Sequence, residues 1–324
     1  PDVVGTTGES LPRREEHPDH RPTRNPGDGW VDCRCGAQHW GLLGAAGLLV
    51  TDGAPESPAV VLQHRALWSH QGGTWGIPGG ALAPGESAPQ GALREAAEEA
   101  GVPADGVRVW ASSVLHHPDW TYTTVLAEAA RPFTPTATDA ESLELAWVGV
   151  DDVPSRSLLP AFGAAWPNLR RLLGRRVLLV ADGANVVGAR PDGWWRDRPA
   201  AAERLHAKLV ASIEPGLPAR LLGLPGDRWW PDILLVLEGD ARGADLAADD
   251  AMTPGPAATV SVARAPGSGD DAVVARVSAA LGEHGYSDVV VVTSDRGLRE
   301  RVRAAGADVS SPGPLLDALD ASRA

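Results

Sequence analysis

Three glutamates lie within one turn of a segment that should be helical. Residues 93–100 contain no glycine or proline and are rich in alanine and glutamate, which predicts an α-helix. Glu95, Glu98 and Glu99 stand at positions i, i+3 and i+4, so the helix places their carboxylates on one face. Such close negative charges repel unless a cation neutralises them, and carboxylate oxygens suit Mg2+ or Mn2+. The simpler alternative is a solvated acidic face.

The sequence around these glutamates favours the metal site. Gly79 and Gly80 predict a turn before the helix, and Glu86 and Arg94 are residues that a merely solvated face does not need. Residues 80–102 match the pattern G-x5-E-x7-R-E-U-x-E-E-x-G-U at every fixed place. The matching residues are Gly80, Glu86, Arg94, Glu95, Ala96, Glu98, Glu99, Gly101 and Val102. The stretch resembles the Nudix box of the Nudix hydrolases.

This resemblance implies a metal-dependent hydrolase that acts on a nucleoside diphosphate linked to a further group. It implies that Glu95, Glu98 and Glu99 bind the divalent cations, and we expect Glu98 or Glu99 to be the base for the attacking water. Glu144 lies where many family members carry a further metal-binding or basic carboxylate.

Other residues of the stretch would position the substrate and the glutamates. By the same resemblance, Arg94 orients a glutamate through a bidentate pair and Glu86 supports the loop. Gly79 and Gly80 would lie close to the substrate phosphates. Three aromatic residues would stack on a base or pack in the core, and these alternatives stay open: Trp75, Trp120 and Tyr122.

The elements that must position this helix are short apolar strands bounded by turn residues. We predict strands in residues 45–52, 59–68, 107–117, 122–129 and 143–150, and a closing helix in residues 157–173. Together with the box helix they predict a Nudix α/β/α sandwich with a mixed sheet.

The pattern changes at Arg175, where apolar strands alternate with amphipathic helices. This alternation predicts a parallel, doubly wound sheet, in which ligands bind at the carboxyl ends of the strands. Asp182, Glu238 and Asp295 fall at such ends, and Asp270 opens the helix after a fourth strand. Converging acids need a cation between them. Each one alone is also typical of a helix cap or turn.

Residues 175–320 resemble the NYN group of PIN-like ribonucleases. Asp182 and Asn185 match the first strand motif of that group, Asp270 and Asp271 its acid pair, and Asp295 its T-S-D motif. The resemblance implies an RNA-cleaving site in which these acids, together with Glu238, bind Mg2+ or Mn2+. Of the acid pair, we favour Asp270 as the one that faces the metal.

Cationic and aromatic residues near these acids would guide an RNA strand. Arg296 and Arg299 follow Asp295 at near-helical spacing and would grip phosphates. Trp194 and Trp195 would stack on bases or pack over the sheet.

Composition limits the remaining alternatives. The chain of 324 residues is long enough for two domains, and its net charge of −13 is not that of a nucleic-acid-binding surface overall. Apolar runs fall short of the ~20 residues of a membrane span, so we expect no membrane partner. Cys33 and Cys35 are the two cysteines, which indicates a reducing cytoplasm. They and His39 would bind zinc with His17 or His20, but the Cys-x-Cys spacing favours a packed, reduced pair.

The leading hypothesis has three segments: a flexible arm (residues 1–37), a Nudix hydrolase domain (38–174) and a NYN/PIN-like nuclease domain (175–324). The expected partners are a nucleotide-diphosphate substrate and RNA. The alternative is a nucleotide-sanitising Nudix enzyme with a non-catalytic, nucleic-acid-binding C-terminal module. The sequence does not define the oligomeric state.

Overall fold

A computed structural model describes residues 25–103, 105–138, 140–247, 255 and 257–321. The elements of its first half are β1 (Trp30–Asp32), β2 (Gln38–Trp40), β3 (Ala45–Thr51), β4 (Ala59–Arg65), β5 (Trp75–Gly76), β6 (Gly79–Ala81), α1 (Ala88–Ala100), β7 (Val107–His116), β8 (Thr121–Ala129), β9 (Ser142–Gly149) and α2 (Pro160–Arg170). Each predicted strand and helix of this half is present. Within the described residues, no helix has the length and apolar character that a membrane crossing requires.

The second half of the chain contains the predicted alternation of strands and helices. Its elements are β10 (Val177–Asp182), α3 (Gly183–Gly188), α4 (Arg198–Ala211), β11 (Leu217–Pro218), α5 (Ala219–Leu222), β12 (Arg228–Trp229), β13 (Asp232–Leu237), β14 (Val260–Arg264), α6 (Gly269–Gly282), β15 (Asp288–Val292), α7 (Arg296–Ala304), β16 (Asp308–Ser310) and α8 (Pro312–Ala321).

The first sheet is mixed and carries the box helix on one face. Its strand order is β11-β12-β7-β8-β3-β4-β5, with β6 paired to β3 and β9 paired to β4. Strands β3 and β8 run parallel, and the other pairs of this sheet are antiparallel. Helix α1 packs its alanines, Ala92, Ala96 and Ala100, against apolar side chains of β3 and β8. These small residues bring the helix axis close to the sheet.

The second sheet is parallel throughout, in the order β14-β13-β10-β15-β16. Helices cover both of its faces: Leu205 and Leu209 of α4 pack with one set of strand residues, and Val273 and Val277 of α6 pack with the other. The predicted doubly wound architecture is therefore present, and its strands are buried on both faces as parallel strands must be.

The two halves share a core and a strand ladder. Strand β12 pairs with β7 through Trp229 and Ala111, so a segment of the second half extends the first sheet. Trp229 is completely buried. Arg108 on β7 donates a hydrogen bond of 2.9 Å to the carboxylate of Asp232, the first residue of β13. Residues on the two sides of the expected domain boundary at residue 174 therefore contact each other.

Two local expectations differ from the structure. The flexible arm was expected to end at residue 37, but residues 30–40 form a hairpin of β1 and β2. Trp30 pairs with Trp40 in this hairpin, and their rings pack against each other. The rest of the expected arm, including His17 and His20, lies outside the described residues. Gly79 and Gly80 lie in strand β6 and not in a turn, since both pair with β3.

Candidate functional site

Local sequence signals fix both ends of helix α1. Ser87 caps its amino end: the hydroxyl accepts from the backbone N–H of Gln90, and the Gln90 side chain accepts from the backbone N–H of Ser87. Gly101 ends the helix in the left-handed conformation, with φ of 64°. The glutamates therefore stand on a rigid helix with well-defined ends.

Arg94 is the centre of a hydrogen-bond network that joins this helix to the preceding loop. Its guanidinium makes a bidentate pair with Glu86, with two bonds of 2.9 Å, as expected for a residue that supports the loop. It also donates to Glu95 at 2.8 Å, to Glu98 at 3.4 Å and to the backbone oxygen of Ala81 at 3.0 Å. The guanidinium of Arg94 thus binds three carboxylates.

The glycines before the helix allow its carboxylates to approach the backbone. A Cβ atom on Gly80 would lie 2.6 Å from the Glu95 carboxylate, and one on Gly79 would lie 2.5 Å from the backbone of Ala46. The N–H of Gly79 donates to Glu99 at 3.1 Å. Strand β6 therefore contacts two glutamates of α1, and only glycine fits at Gly79 and Gly80 without a shift.

The electrostatics of the group separate its carboxylates. The hydrogen bonds from Arg94 lower the pKa of Glu86. Burial raises the pKa of Glu95 despite the contact with Arg94. Glu99 is buried, whereas the side chain of Glu98 is 62% exposed. A buried carboxylate with a raised pKa is stabilised in its ionised form by a nearby cation.

Comparisons with known proteins agree with this geometry. The NUDIX domain model matches residues 41–171. A Mycobacterium tuberculosis protein, provisionally named 8-oxo-dGTP diphosphatase 3, is 48% identical over 154 residues, which are 45% of this chain and 70% of that protein. The chain belongs to the Nudix family.

Two further Nudix relatives show how far the similarity extends. A Bifidobacterium longum nucleoside triphosphate pyrophosphatase/Nudix hydrolase fusion protein is 52% identical over 147 residues, which are 44% of this chain and 30% of that protein. The chain thus spans less than a third of that relative. The crystal structure of the Nudix hydrolase RenU from M. smegmatis is 46% identical and covers 45% of this chain and 94% of its own, with a TM-score of 0.42.

Some residues expected in the Nudix site lie elsewhere. Glu144 lies on β9 and pairs with His64 of β4. Side chains alternate along β9: Leu145 packs on the side of α1, and Ala146 packs on the opposite side. Glu144 therefore projects away from the box glutamates. Gln63 and Ser142 lie near them instead, with Gln63 donating to Ser142 at 2.8 Å and to Glu99 at 3.5 Å. Neither residue carries a charge that a sequence search would single out.

The three candidate aromatic residues of this half pack within the protein. Trp75 is buried between His64, stacked at 4.7 Å, and Arg156, 4.9 Å from its centroid. Trp120 stacks on His39 at 4.5 Å. Burial raises the pKa of the Tyr122 hydroxyl. Trp75 therefore lies in the core, whereas Trp120 and Tyr122 are half-buried. The charges of Glu99 and Glu95 also raise the pKa of Tyr122, so its hydroxyl lies near the box carboxylates.

A second acidic cluster lies at the carboxyl edge of the parallel sheet. Asp182 ends β10 and accepts three hydrogen bonds, two from Asn185 and one from the hydroxyl of Thr293. Glu238 follows β13 and accepts from the N–H of Gly269 at 2.8 Å. Asp295 follows β15 and caps α7 through the N–H of Leu298. Capping and convergence are thus both present: Asp182 also caps α3.

Shared hydrogen-bond partners bring these acids close together. The Thr293 hydroxyl donates to Asp182 and accepts from the N–H of Asp295. Glu238 accepts from the N–H of Gly269, the residue before Asp270. Burial and then the neighbouring charges of Asp295, Asp182 and Glu238 raise the pKa of Asp270. Burial, with a further contribution from Glu238, raises the pKa of Asp182. Asp271 is different, because it pairs with Arg301 at 2.6 Å on the neighbouring helix. The structure therefore places Asp270, and not Asp271, within the cluster.

The expected RNA-guiding residues differ in how far their side chains are exposed. Arg296 has a side chain that is 93% exposed and pairs with Glu300 at 3.2 Å, while Arg299 is half-buried on the same helix. Trp195 is 54% exposed, and Trp194 packs edge-to-face against it under Arg198. Trp195 is thus the aromatic side chain of this pair with a substantial accessible face.

Proposed function

We propose that the Nudix unit, residues 38–174, hydrolyses a phosphoanhydride bond of a nucleotide with Mg2+ or Mn2+. The observation that carries this proposal is a group of four carboxylates on and beside α1. Arg94 binds three of them, Glu86, Glu95 and Glu98. The fourth, Glu99, accepts from the Gly79 N–H. The substrate class is a nucleoside diphosphate linked to a further group. The name of the M. tuberculosis relative adds nucleoside triphosphates such as 8-oxo-dGTP to this class.

The residues present fit a divalent cation. The donor set consists of carboxylate oxygens, which hard divalent cations prefer, and one guanidinium does not balance the charge of four carboxylates. Glu98 is exposed enough to turn toward Glu95 and Glu99 when a cation binds. A bound cation would supply Lewis-acid activation of water and stabilisation of the phosphate charge.

The chain itself would position and deprotonate the reactants. Arg94 binds the backbone oxygen of Ala81, the last residue of the strand that holds Gly80 against Glu95, and it pairs with Glu86 in the loop that follows. The Gly79 N–H donates to Glu99 and so orients its carboxylate. Glu98 has solvent access, and we therefore assign it the acceptance of the proton from the attacking water at its carboxylate oxygen.

A substrate panel tests this proposal. The full chain is incubated with nucleoside triphosphates including 8-oxo-dGTP, dinucleoside polyphosphates and nucleoside diphosphate sugars, with Mg2+ or Mn2+ and with EDTA. We expect metal-dependent release of phosphate, pyrophosphate or a nucleoside monophosphate from at least one class. No hydrolysis of any member, or hydrolysis that persists in EDTA, contradicts the proposal.

A second proposal concerns residues 175–324, as a PIN-like, metal-dependent endoribonuclease. The convergence of Asp182, Glu238, Asp270 and Asp295 at the carboxyl edge of a parallel sheet supports it. Their oxygen donors fit Mg2+ or Mn2+. Burial, and after it the neighbouring negative charges, raise the pKa of Asp182 and of Asp270. Arg296 supplies an exposed cation next to Asp295 in the chain, and Trp195 supplies an exposed ring.

The nuclease test uses the full chain, because β11 and β12 belong to the first sheet and an isolated second half would lose that pairing. Single-stranded RNA is incubated with Mg2+ or Mn2+ and with the wild type, Asp182→Asn or Asp295→Asn. We expect cleavage by the wild type alone. If the wild type binds RNA without cleaving it, the alternative of a non-catalytic binding module is favoured.

A further inference from the structure

Four potential zinc ligands meet at the outer end of the β1–β2 hairpin. Cys33, Cys35 and His39 come from this hairpin, and His117 comes from the turn between β7 and β8. One ligand atom from each lies within 4.8 Å of all the others. Among the residues that the structure describes, no other group of three His, Cys, Asp or Glu side chains is as compact. We propose that these four side chains bind one structural Zn2+ ion.

The distances approach those of a tetrahedral zinc site. With Zn–S near 2.3 Å and Zn–N near 2.0 to 2.1 Å, ligand atoms of such a site lie roughly 3.3 to 3.8 Å apart. The Cys35 Sγ atom lies 3.2 Å from Nε2 of His39, and the rings of His39 and His117 have centroids 4.2 Å apart. Small side-chain rotations therefore complete the tetrahedron.

The chemistry of the donors selects zinc over the ions expected at the two acidic clusters. Two thiolates and two imidazoles in tetrahedral arrangement are typical of zinc, whereas Mg2+ and Mn2+ prefer oxygen. Neither cysteine forms a disulfide. Cys33 is buried while Cys35 is exposed, so the two are not the packed pair that their spacing favoured.

The backbone already holds the two loops in the required arrangement. Gly36, with φ of 90°, turns the chain so that its N–H donates to Cys33 and the Cys33 N–H donates to the Ala37 oxygen. Arg34, between the cysteines, fastens this turn to the other loop. Its backbone N–H and its guanidinium both donate to Asp119, at 2.8 Å.

The second loop is equally well defined. His117 donates its backbone N–H to the Trp120 oxygen at 2.8 Å, which closes the hairpin turn. The Trp120 ring stacks on His39 at an angle of 9°, and its N–H donates to the Trp40 and Gly41 oxygens. The ring of His39 and the backbone of His117 are therefore held by neighbours that are independent of any ion.

The site would tie the amino-terminal hairpin to the rest of the Nudix sheet. Short two-stranded hairpins are marginal on their own, and a structural zinc contributes its binding energy to folding. The chain just before the hairpin contacts the strand that carries Gly80: Asn25 donates to the Ala81 oxygen at 3.1 Å. Loss of zinc would thus loosen a segment that packs beside the carboxylate group.

Zinc content of the purified full chain tests the proposal. The protein is exchanged into chelator-free buffer with excess Mg2+, which displaces zinc from weak carboxylate sites, and its metal is measured by mass spectrometry. We expect one tightly bound zinc per wild-type chain, and loss of that zinc in Cys35→Ser and His117→Ala. The matched control is His116→Ala, because His116 is the exposed neighbour of His117 and is outside the group. It should keep the zinc.

A measurement on the wild type guards against variants that fail to fold. Co2+ substituted for zinc should give the intense visible bands of a tetrahedral ion and the near-ultraviolet thiolate charge-transfer bands. The proposal is overturned if the wild type neither contains nor takes up zinc, if Co2+ shows only octahedral spectra, or if thiol titration finds Cys33 and Cys35 joined in a disulfide. Retention of zinc by His117→Ala would likewise overturn it. None of these readouts depends on nucleotide hydrolysis.

Discussion

Replacing Arg108 by methionine should destabilise the chain strongly, because it breaks a buried ion pair between the two halves. Arg108 lies on β7 of the Nudix sheet, and its guanidinium donates to Asp232 at the start of β13 at 2.9 Å. The two side chains are only 13% and 5% exposed. Methionine retains most of the apolar stem of arginine, so the loss is mainly that of the charge.

The size of the effect follows from the charge that is left behind. Removing one partner of a buried ion pair costs about 3–5 kcal/mol. Asp232 keeps hydrogen bonds from the N–H and hydroxyl of Thr259 and from the hydroxyl of Tyr286. We therefore expect the lower end of this range, about 3 kcal/mol, which is roughly a 100-fold change in the unfolding equilibrium.

Urea unfolding followed by tryptophan fluorescence measures this difference. The expected result is a lower midpoint with an unchanged slope. The matched control is Arg131→Met, because Arg131 pairs with Asp105 at the same distance of 2.9 Å but the side chains are 61% and 82% exposed. Such a surface pair contributes at most about 1 kcal/mol. If Arg108→Met costs no more than this control, the contact does not join the halves as we argue.

Three further predictions concern the two acidic clusters. Gly80→Ala should lower kcat/KM of nucleotide hydrolysis on the order of 10- to 100-fold, because the new Cβ would meet the Glu95 carboxylate at 2.6 Å. The control is Gly76→Ala, which should leave kcat/KM unchanged because the nearest atom to its Cβ would lie 3.7 Å away. Because the pKa of Glu95 is raised, its protonated form stabilises the metal-free fold, and this stabilisation is lost as pH rises through that pKa. A cation needs the ionised form, so Mg2+ titrations of activity should show weaker activation at lower pH. A midpoint of Mg2+ activation that does not change with pH would refute the assignment. Asp270→Asn should abolish RNA cleavage while Asp271→Asn leaves it intact, and equal losses in gel assays would show that the pair with Arg301 does not exclude Asp271.

The box helix was predictable because its signals are local. The i, i+3, i+4 spacing of Glu95, Glu98 and Glu99 and the absence of helix breakers are properties of one short segment, and α1 covers that segment. The strands around it were predictable for the same reason, since their apolar runs are continuous. The alternation of strand and helix after residue 175 predicted the parallel sheet.

Features that depend on register or on distant loops were not predictable from spacing. Glu144 is one position out of phase with Leu145, and a strand sends such neighbours to opposite faces. Strand β12 has two residues and therefore no periodicity, so its place beside β7 follows from tertiary contacts and not from a sequence pattern. His117 is far from Cys33 and Cys35 along the chain, and only the β7–β8 hairpin brings it to them.

The role of the box carboxylates is tested most directly by the hydrolysis rate of Glu98→Gln beside that of Glu144→Gln, on the nucleotide that the wild type cleaves best. Both changes remove one negative charge from an exposed glutamate of the same unit, but only Glu98 lies in the carboxylate group around Arg94. We predict that Glu98→Gln lowers kcat at saturating Mg2+ on the order of 100-fold or more and that Glu144→Gln retains it. Equal rates for the two variants would contradict the account.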